Sequence, residues 1–311
     1  MLILLAALPV LYWQAGPDTT PLLKQAGITQ IAVPLSNLSL WKNVRDLRVE
    51  GVNLQESMQL PPPGVAFRMN VASASRVPWV NSNGWRLMRW PQRHFHYNVD
   101  ANTAPLAAAE AFCYNTLAVL QTDQNGLQPL ATMLHFLSTL PPDAGDPVAD
   151  IGFIDDGSPV DAEVMNLMVR DNLLFRILRS PEPGYKLIVQ VGSDEYSKEE
   201  AKNPDLLVHK IRYNLTDARR TIRIFGTSVV LARVTAHGQH TRIQLLNYGA
   251  SRGMQVGAFR VHILGRYQKA QLRSYGDADL KLADYEIGSN ETEFTIPELK
   301  TYAVVDLTRS L

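Results

Sequence analysis

Two adjacent carboxylates, Asp155 and Asp156, directly follow an apolar run typical of a buried strand and precede a helix start at Ser158. Asp123 takes the corresponding place after the preceding predicted strand, residues 117–121. In a parallel α/β sheet, ligands meet the carboxyl ends of the strands. Carboxylates about 5 to 9 Å apart suit hydrolysis of glycosidic bonds, in which one protonates the leaving oxygen and the other attacks or activates water. The pattern therefore predicts Asp155 or Asp156, paired with Asp123, as catalytic residues.

The same carboxylates also have structural interpretations. Asp155 and Asp156 can cap the turn before a helix, and Asp123, in the sequence Asp-Gln-Asn-Gly, fits a helix N-cap. Glu110 lies inside an apolar helix, residues 107–113, where a carboxylate is costly unless it has a partner. It is either the proton donor of the catalytic pair or one half of a structural ion pair. Both alternatives stay open for all four residues.

Arginine and tryptophan are concentrated near the N-terminus. All five tryptophans lie within the first 90 residues, and residues 57–99 contain three of them and five arginines but no Asp or Glu. Exposed aromatic faces stack on sugar rings or bases, and arginines bind carboxylate, sulfate or phosphate groups. The alternative is a solvated face paired with carboxylates elsewhere, with the tryptophans in the core. The predicted ligand-binding residues are Trp13, Gln14, Arg68, Asn70, Trp79, Trp85, Arg86 and Trp90.

Motifs for cofactors and metals are missing from the sequence. It contains no G-x-G-x-x-G, G-x-x-x-x-G-K-[ST], G-x-S-x-G or H-E-x-x-H pattern. The single cysteine, Cys113, excludes an internal disulfide and a Cys-based zinc site. His94 and His96 would share one face of a strand, but no carboxylate or cysteine is close to them in the sequence. We therefore predict neither a cofactor nor a metal.

Composition limits the class of protein. The chain has 311 residues, 46% of them hydrophobic and 19% charged, which is typical of a folded globular protein with one large or two smaller domains. Thirty basic and 30 acidic residues give a formal net charge of +0. This balance argues against a protein that coats nucleic acid along its whole surface.

Residues 1–8 (MLILLAAL) form an apolar run. It is typical either of the central region of a shortened signal peptide, which would make the protein periplasmic or secreted, or of a run leading into the first strand of a cytoplasmic protein. No other segment reaches the roughly 18 apolar residues of a membrane helix. We therefore expect no membrane span.

Two kinds of architecture follow one another along the chain. Residues 9–34 and 149–178 both read as strand, helix, strand, which predicts parallel sheet, and Asn172 fits the exit of the second helix. About eight strand candidates before residue 195 match the number in a (β/α)8 TIM barrel. The barrel would be irregular or incomplete, because residues 36–97 lack good helix patterns. After a predicted helical connection at 203–220, seven short strands at roughly ten-residue spacing indicate an antiparallel β-sandwich.

A parallel α/β domain at 9–220 followed by a β-sandwich domain at 221–311 resembles glycoside hydrolases that have a TIM-barrel catalytic body and a C-terminal β-sandwich. The likeness covers the whole chain as architecture and includes no family signature. It implies a carbohydrate-active hydrolase that uses paired carboxylates at strand ends. The alternative is a non-catalytic glycan-binding protein that keeps the barrel scaffold and binds its ligand through the arginine- and tryptophan-rich surface.

Overall fold

The computed structural model describes residues 8–67 and 78–309. The predicted signal-peptide run, apart from Leu8, lies outside the described residues. The described strands before residue 122 are β1 (Val10–Tyr12), β2 (Gln30–Pro34), β3 (Arg48–Val52), β4 (Met58–Leu60), β5 (Gly64–Ala66), β6 (Trp79–Asn81), β7 (Phe95–Asn98) and β8 (Ala118–Gln121). The later ones are β9 (Asp146–Pro147), β10 (Ile151–Ile154), β11 (Phe175–Leu178), β12 (Leu187–Gln190), β13 (Ile222–Phe225), β14 (Val230–His237), β15 (His240–Asn247), β16 (Phe259–Leu264), β17 (Lys269–Ser274), β18 (Ala283–Ile287), β19 (Glu291–Ile296) and β20 (Tyr302–Thr308).

The described α-helices connect and cover these strands. They are α1 (Thr20–Gln25), α2 (Gly84–Arg89), α3 (Ala104–Cys113), α4 (Gln124–Thr139), α5 (Pro159–Arg170) and α6 (Pro204–Leu215). Within the part of the chain that the structure describes, no helix is long and apolar enough to cross a membrane.

The first sheet is parallel and has the strand order β3-β2-β1-β8-β7-β4. Its central strand β1 pairs with β2 on one side and with β8 on the other. The residues of β1 and β8 are almost entirely buried, as expected for a parallel sheet covered on both faces. This sheet carries the first predicted β-α-β unit, in which α1 ends before Gly27, a residue with a φ of +84°.

The second parallel sheet is separate and has the order β11-β10-β12. In a closed (β/α)8 barrel, β10 would pair with β8, and the last parallel strand would pair with β1. Both edges of β1 are already occupied, and β10 is flanked by β11 and β12 instead. Among the described residues there is therefore no closed barrel, and the predicted eight-stranded barrel is replaced by two parallel sheets.

Local helix signals agree with the structure at α5. The Ser158 side chain accepts a hydrogen bond from the backbone N–H of Asp161 at 3.1 Å, and Pro159 is the first helical residue. The helix ends before Asn172, whose φ of +52° is in the left-handed region. The Asn172 side chain then bonds the backbone of β14, through Ala232 N–H at 2.7 Å and the Val230 carbonyl at 3.1 Å. The predicted helix exit thus also joins the second parallel sheet to a C-terminal strand.

Residues 36–97 contain elements that the sequence pattern did not indicate. Helix α2 has only six residues, which is too short to show a helical repeat of apolar positions in the sequence. Strand β5 pairs antiparallel with β6, outside the parallel sheets.

Two antiparallel sheets are built mainly from strands after residue 220, with the orders β13-β16-β19-β18 and β17-β20-β15-β14-β9. The edge strand β9 joins the second of them from the N-terminal part of the chain. Alternate residues of both sheets, including Val261, Phe294, Ile243 and Val305, form one buried hydrophobic cluster. All seven predicted strands are present, with end points that differ by up to two residues. The sequence analysis missed β18, a largely exposed strand of five residues, although its residues alternate between apolar and polar types.

The other face of the five-stranded sheet packs against the helices of the N-terminal part. Tyr302 of β20 contacts the rings of Phe112 on α3 and Phe136 on α4 with edge-on geometry. Leu246 and Val304 belong to the same buried cluster as the strands of the first parallel sheet. The five-stranded sheet is therefore shared between two hydrophobic cores.

Candidate functional site

The carboxyl end of β10 lies where the strand order of the second parallel sheet reverses. The chain passes from β10 to β11 on one side, and β12 then pairs on the other side of β10. In open α/β sheets, such a reversal leaves a crevice outside the strand ends, and ligands bind there. Asp155 and Asp156 follow β10 directly, and Gly157 turns the chain toward α5 with a φ of +87°. The predicted pair of aspartates therefore does lie at a position suited to a ligand.

Asp155 forms a bidentate ion pair with Arg89 of α2. Arg89 Nε donates to Asp155 Oδ2 at 2.7 Å and Nη2 donates to Oδ1 at 2.6 Å. The two side chains are only 8% and 11% exposed. Asp155 Oδ1 also accepts from the Gly157 N–H at 3.0 Å. Both carboxylate oxygens are thus engaged, and the pair joins α2 to the end of β10.

Asp156 and Asp161 form a contrasting pair beside it. Asp156 is exposed, and hydrogen bonds from Ser158, one of them from its backbone N–H at 2.8 Å, lower the pKa of this carboxyl. Asp161 is buried, and burial raises its pKa to about 6. Its Oδ2 accepts from the Asp156 N–H at 2.9 Å, whereas no group among the described residues donates to its buried Oδ1.

The three aspartates form one acidic cluster, in which one oxygen from each side chain lies within 4.8 Å of the others. Carboxylate oxygens at this spacing are the ligands that Ca²⁺ and Mg²⁺ prefer. The cluster also contains one ionised and one readily protonated carboxyl, a combination that general acid/base chemistry requires. His262, Glu291 and Glu293 form a second such group, on the four-stranded sheet.

Asp123 lies elsewhere. It is the N-cap of α4, and its Oδ1 accepts from the Gly126 N–H at 3.0 Å. The expectation that its strand and β10 are neighbours is wrong, because β8 pairs with β1 and β7 and belongs to the other parallel sheet. The described acidic groups whose carboxylate oxygens lie within 4.8 Å include neither Asp123 nor Glu110.

Glu110 is completely buried in α3 and is the centre of a hydrogen-bond network. Its Oε1 accepts from the Asn83 N–H at 2.8 Å and from Tyr248 Oη at 2.7 Å. Its Oε2 accepts from Asn83 Nδ2 and Tyr97 Oη, both at 3.0 Å. Ser82 Oγ also donates to Oε1 at 3.3 Å. Glu110 therefore has the partners that a buried carboxylate needs. These partners are neutral hydrogen-bond donors, whereas the predicted ion pair would require a positively charged side chain.

The tryptophans of the basic stretch lie against the fold. Trp85 is buried, and its ring centroid lies 6.3 Å from that of Trp90. The Arg86 guanidinium lies 4.3 Å from the Trp85 ring centroid, and that of Arg170 lies 3.5 Å from the Trp79 centroid. Trp79 and Trp90 are partly buried against the main hydrophobic cluster. The described rings therefore contribute mainly to packing and cation–π contacts.

Trp13 is also buried, and its Nε1 donates to Thr19 Oγ1 at 2.8 Å, whereas the adjacent Gln14 is exposed. Arg68 and Asn70, which the sequence predicted as ligand-binding residues, lie outside the described residues.

Asp161, which belongs to the acidic cluster, and Arg89, which binds Asp155, were not among the predicted site residues. Asp161 has a clear sequence signal, the capping box that begins at Ser158, but that signal indicates a helix start and not a site. Arg89 belongs to the basic stretch, yet its partner is 66 positions away, and no sequence pattern connects the two.

No protein-family model matches this sequence, and no curated protein matches it. The solved structures to which it is similar include α-L-fucosidase isoenzyme 2 from Paenibacillus thiaminolyticus, with a TM-score of 0.53 and 9% identity over 70% of this chain and 61% of that one. A rhamnosidase from Novosphingobium sp. PP1Y has a TM-score of 0.45 and 10% identity, over 90% of this chain and 37% of that one. A β-galactosidase from Bacillus circulans sp. alkalophilus has a TM-score of 0.44 and 8% identity, over 90% and 63%.

The chain spans less than two thirds of the length of each of these three proteins. Of these three, the fucosidase comparison exceeds a TM-score of 0.5, and at 9% identity it describes the fold and not the chemistry. The structural neighbours of this chain are glycoside hydrolases, as its architecture predicted, and its fold is similar to that of a fucosidase.

Proposed function

We propose that this protein binds carbohydrate on a glycosidase-type scaffold and does not cleave it through the predicted carboxylate pair. All four predicted catalytic carboxylates accept a hydrogen bond from a backbone N–H, and this observation supports the absence of cleavage. The donors are Asn83 for Glu110, Gly126 for Asp123, Gly157 for Asp155 and Ser158 for Asp156. For the three aspartates such bonds cap a helix or close a turn, and for Glu110 the bond joins α3 to the start of α2, so all four side chains have roles in the fold.

The surroundings of these carboxylates also argue against a catalytic pair. A glycosidase needs two carboxyl groups on either side of the scissile bond, both within reach of the sugar. Glu110 is completely buried, and both oxygens of Asp155 are bound by Arg89. Asp123 follows a strand of a different sheet from the one that carries Asp155 and Asp156. Asp156 is left as a single exposed carboxylate at the end of β10.

The carbohydrate part of the proposal is supported by the fold similarity to a fucosidase. We further propose that residues 221–311 are a β-sandwich domain, because the two antiparallel sheets share one hydrophobic cluster, and that residues 9–220 are the other domain. We also propose export to the periplasm or the exterior, on the basis of the apolar run at residues 1–8.

Hydrolysis at the acidic cluster is a second candidate function. The observation that favours it is the opposite displacement of two adjacent carboxyl pKa values, lowered for Asp156 and raised to about 6 for Asp161. Such a pair can combine an ionised base with a proton donor below pH 6. Asp161 is only 1% exposed, so it would act through Asp156 or a water molecule.

The two candidates differ in what happens to a bound glycan. We would test the purified protein on immobilised glycans that carry terminal fucose, rhamnose or galactose, and measure both retention and release of sugar. The proposed function predicts retention on at least one glycan without release above a protein-free blank. Release that Asp156→Asn abolishes, while the exposed control Asp205→Asn does not, would favour the second candidate. The absence of any retention or release would contradict both.

A further inference from the structure

A cavity of about 350 Å³ opens on the five-stranded antiparallel sheet, and its lining includes none of the three aspartates of the acidic cluster. It lies beside the segment 141–145, which follows α4 and leads into β9. Its volume falls within the range of small-molecule binding sites, about 300 to 1,000 Å³.

The floor of the cavity is a polar row that crosses four strands. Gln271 of β17 pairs with Asp306 of β20, Asp306 pairs with Arg242 of β15, and Arg242 pairs with Thr235 of β14. Directly paired residues point to the same face of a sheet, so these four side chains lie side by side at the interstrand spacing of about 4.8 Å. Donors and acceptors therefore alternate across the cavity floor.

Ion pairs hold this row in place. Arg242 Nε donates to Asp306 Oδ1 at 2.6 Å, and Arg273 Nη1 donates to Asp306 Oδ2 at 2.6 Å. Arg273 Nη2 also donates to Gln271 Oε1 at 2.8 Å. Arg242 is only 7% exposed, whereas Gln271 is exposed and Arg273 and Asp306 are partly exposed. The polar groups are thus fixed before any ligand arrives, which lowers the entropy cost of binding.

The wall of the cavity is attached to the same row. Arg242 Nη1 donates to the Pro141 carbonyl at 2.8 Å, and Thr235 Oγ1 donates to Asp143 Oδ2 at 2.7 Å. Pro141 and Pro142 contribute rigid apolar surface to the lining, together with Ala236. A polar floor and an apolar wall suit a ligand that has hydroxyl groups on one side and C–H groups on the other.

The charges in the cavity balance. The lining contains two arginines, Arg242 and Arg273, and two aspartates, Asp143 and Asp306. Because the arginines already bind Asp306, the lining offers no excess positive charge to an anionic sugar. A row of oriented side chains that together supply donors and acceptors, with no net charge, matches the hydroxyl groups of a neutral sugar.

We propose that this cavity binds one or two units of a neutral saccharide through the row Gln271, Asp306, Arg242 and Thr235. This inference rests on the proposed carbohydrate-binding function and names the site and the ligand class. It assigns the ligand to the C-terminal sheet and not to the arginine- and tryptophan-rich stretch. His237 and His240, which also line the cavity, lie at its exposed end.

The test measures saccharide affinity by calorimetry in the full chain and in variants of the exposed and partly exposed lining residues. The probes are oligosaccharides ending in fucose, rhamnose or galactose, with glucuronate as the anionic probe. Gln271→Ala, Arg273→Ala and His240→Ala should each weaken binding of a neutral probe about tenfold, which corresponds to about 1.4 kcal/mol. Arg45→Ala and Gln55→Ala, at exposed positions outside the cavity, are the matched controls and should not change the affinity.

The outcomes separate this inference from the proposed function. If the unmodified protein binds a neutral probe and the three cavity variants bind it equally well, the cavity proposal is wrong and the proposed function stands. Tighter binding of glucuronate than of any neutral probe would overturn the ligand class. If the protein binds no saccharide at all, both fail. Because Gln271 and His240 are exposed, their replacement should leave the thermal unfolding midpoint unchanged, so that loss of binding is not loss of the fold.

Discussion

Tyr248 donates a hydrogen bond to the completely buried Glu110 at 2.7 Å, across 138 positions of the sequence. The bond joins a helix of the N-terminal part to the segment that follows β15. Tyr97, Asn83 and Ser82 donate to the same carboxylate. Glu110 therefore connects three separate segments of the chain, and this explains how a carboxylate can lie inside an alanine-rich helix.

Replacement of Glu110 by alanine should destabilise the protein strongly. The change leaves three buried donors without this acceptor, namely the N–H and one Nδ2–H of Asn83 and the hydroxyl of Tyr97. Each buried donor without a partner costs about 1 to 3 kcal/mol. We expect a loss of at least about 3 kcal/mol in the free energy of unfolding, measured by urea denaturation. Glu199→Ala, at an exposed position, should change it by no more than about 0.5 kcal/mol. Equal stability of the two variants would contradict a structural role for the Glu110 network.

The ion pair of Arg89 and Asp155 should show strong energetic coupling. Removal of one partner leaves a charge that is about nine-tenths buried without its counterpart, which costs about 3 to 5 kcal/mol. Arg89→Ala and Asp155→Ala should each show a loss of this size, and the double variant should lose clearly less than their sum. A double-mutant cycle of unfolding free energies measures the coupling. Additive losses would mean that the two side chains do not stabilise each other.

Asp161 should make stability depend on pH. Burial raises its pKa to about 6 in the folded chain, compared with about 3.9 for an ordinary aspartate. Between these values the folded chain binds more protons than the unfolded chain, so this group's contribution to stability falls as the pH rises from about 4 to about 6. Asparagine does not titrate, so the Asp161→Asn variant should not show this loss of stability as the pH rises. From pH 4 to pH 6, the free energy of unfolding of the variant should therefore increase relative to that of the unmodified protein, by up to about 3 kcal/mol. If the difference between the two proteins does not change with pH, the raised pKa of Asp161 is contradicted.

Replacement of Asn172 should destabilise the protein for two separable reasons. Glycine at this position keeps the left-handed backbone but loses both side-chain bonds to β14, at a cost of about 1 to 3 kcal/mol. Alanine loses the same bonds and also adopts an unfavourable φ of +52°, which adds about 1 to 2 kcal/mol. Thermal and urea unfolding should therefore rank the unmodified protein above Asn172→Gly, and that variant above Asn172→Ala. If Asn172→Ala is more stable than Asn172→Gly, the left-handed backbone conformation does not determine the difference in stability between the two variants.

Local patterns predicted much of the fold, because short strands and capped helices depend on neighbouring residues. The capping box at Ser158, the exit at Asn172 and seven of the antiparallel strands follow from such signals. The described strands do not close into a barrel, and sequence pattern did not show this because strand order depends on pairing between distant segments. Nothing local indicates that β8 fills the second edge of β1 and so excludes β10.

The site was less predictable than the fold for the same reason. The strand-end position of Asp155 and Asp156 follows from local pattern, but their surroundings do not. Arg89 reaches Asp155 from 66 positions away, and the cavity row joins Thr235 to residues up to 71 positions later. The structural role of Asp123 was visible in its N-cap sequence.

Binding without cleavage is tested most directly by prolonged incubation of the protein with a glycan that it retains, followed by mass analysis of the glycan. Our proposal predicts that the intact glycan is recovered in full, at pH 5 as well as at pH 7. Cleavage that Asp156→Asn abolishes, while the exposed control Asp205→Asn preserves it, would contradict the proposal and assign hydrolysis to the acidic cluster at the end of β10.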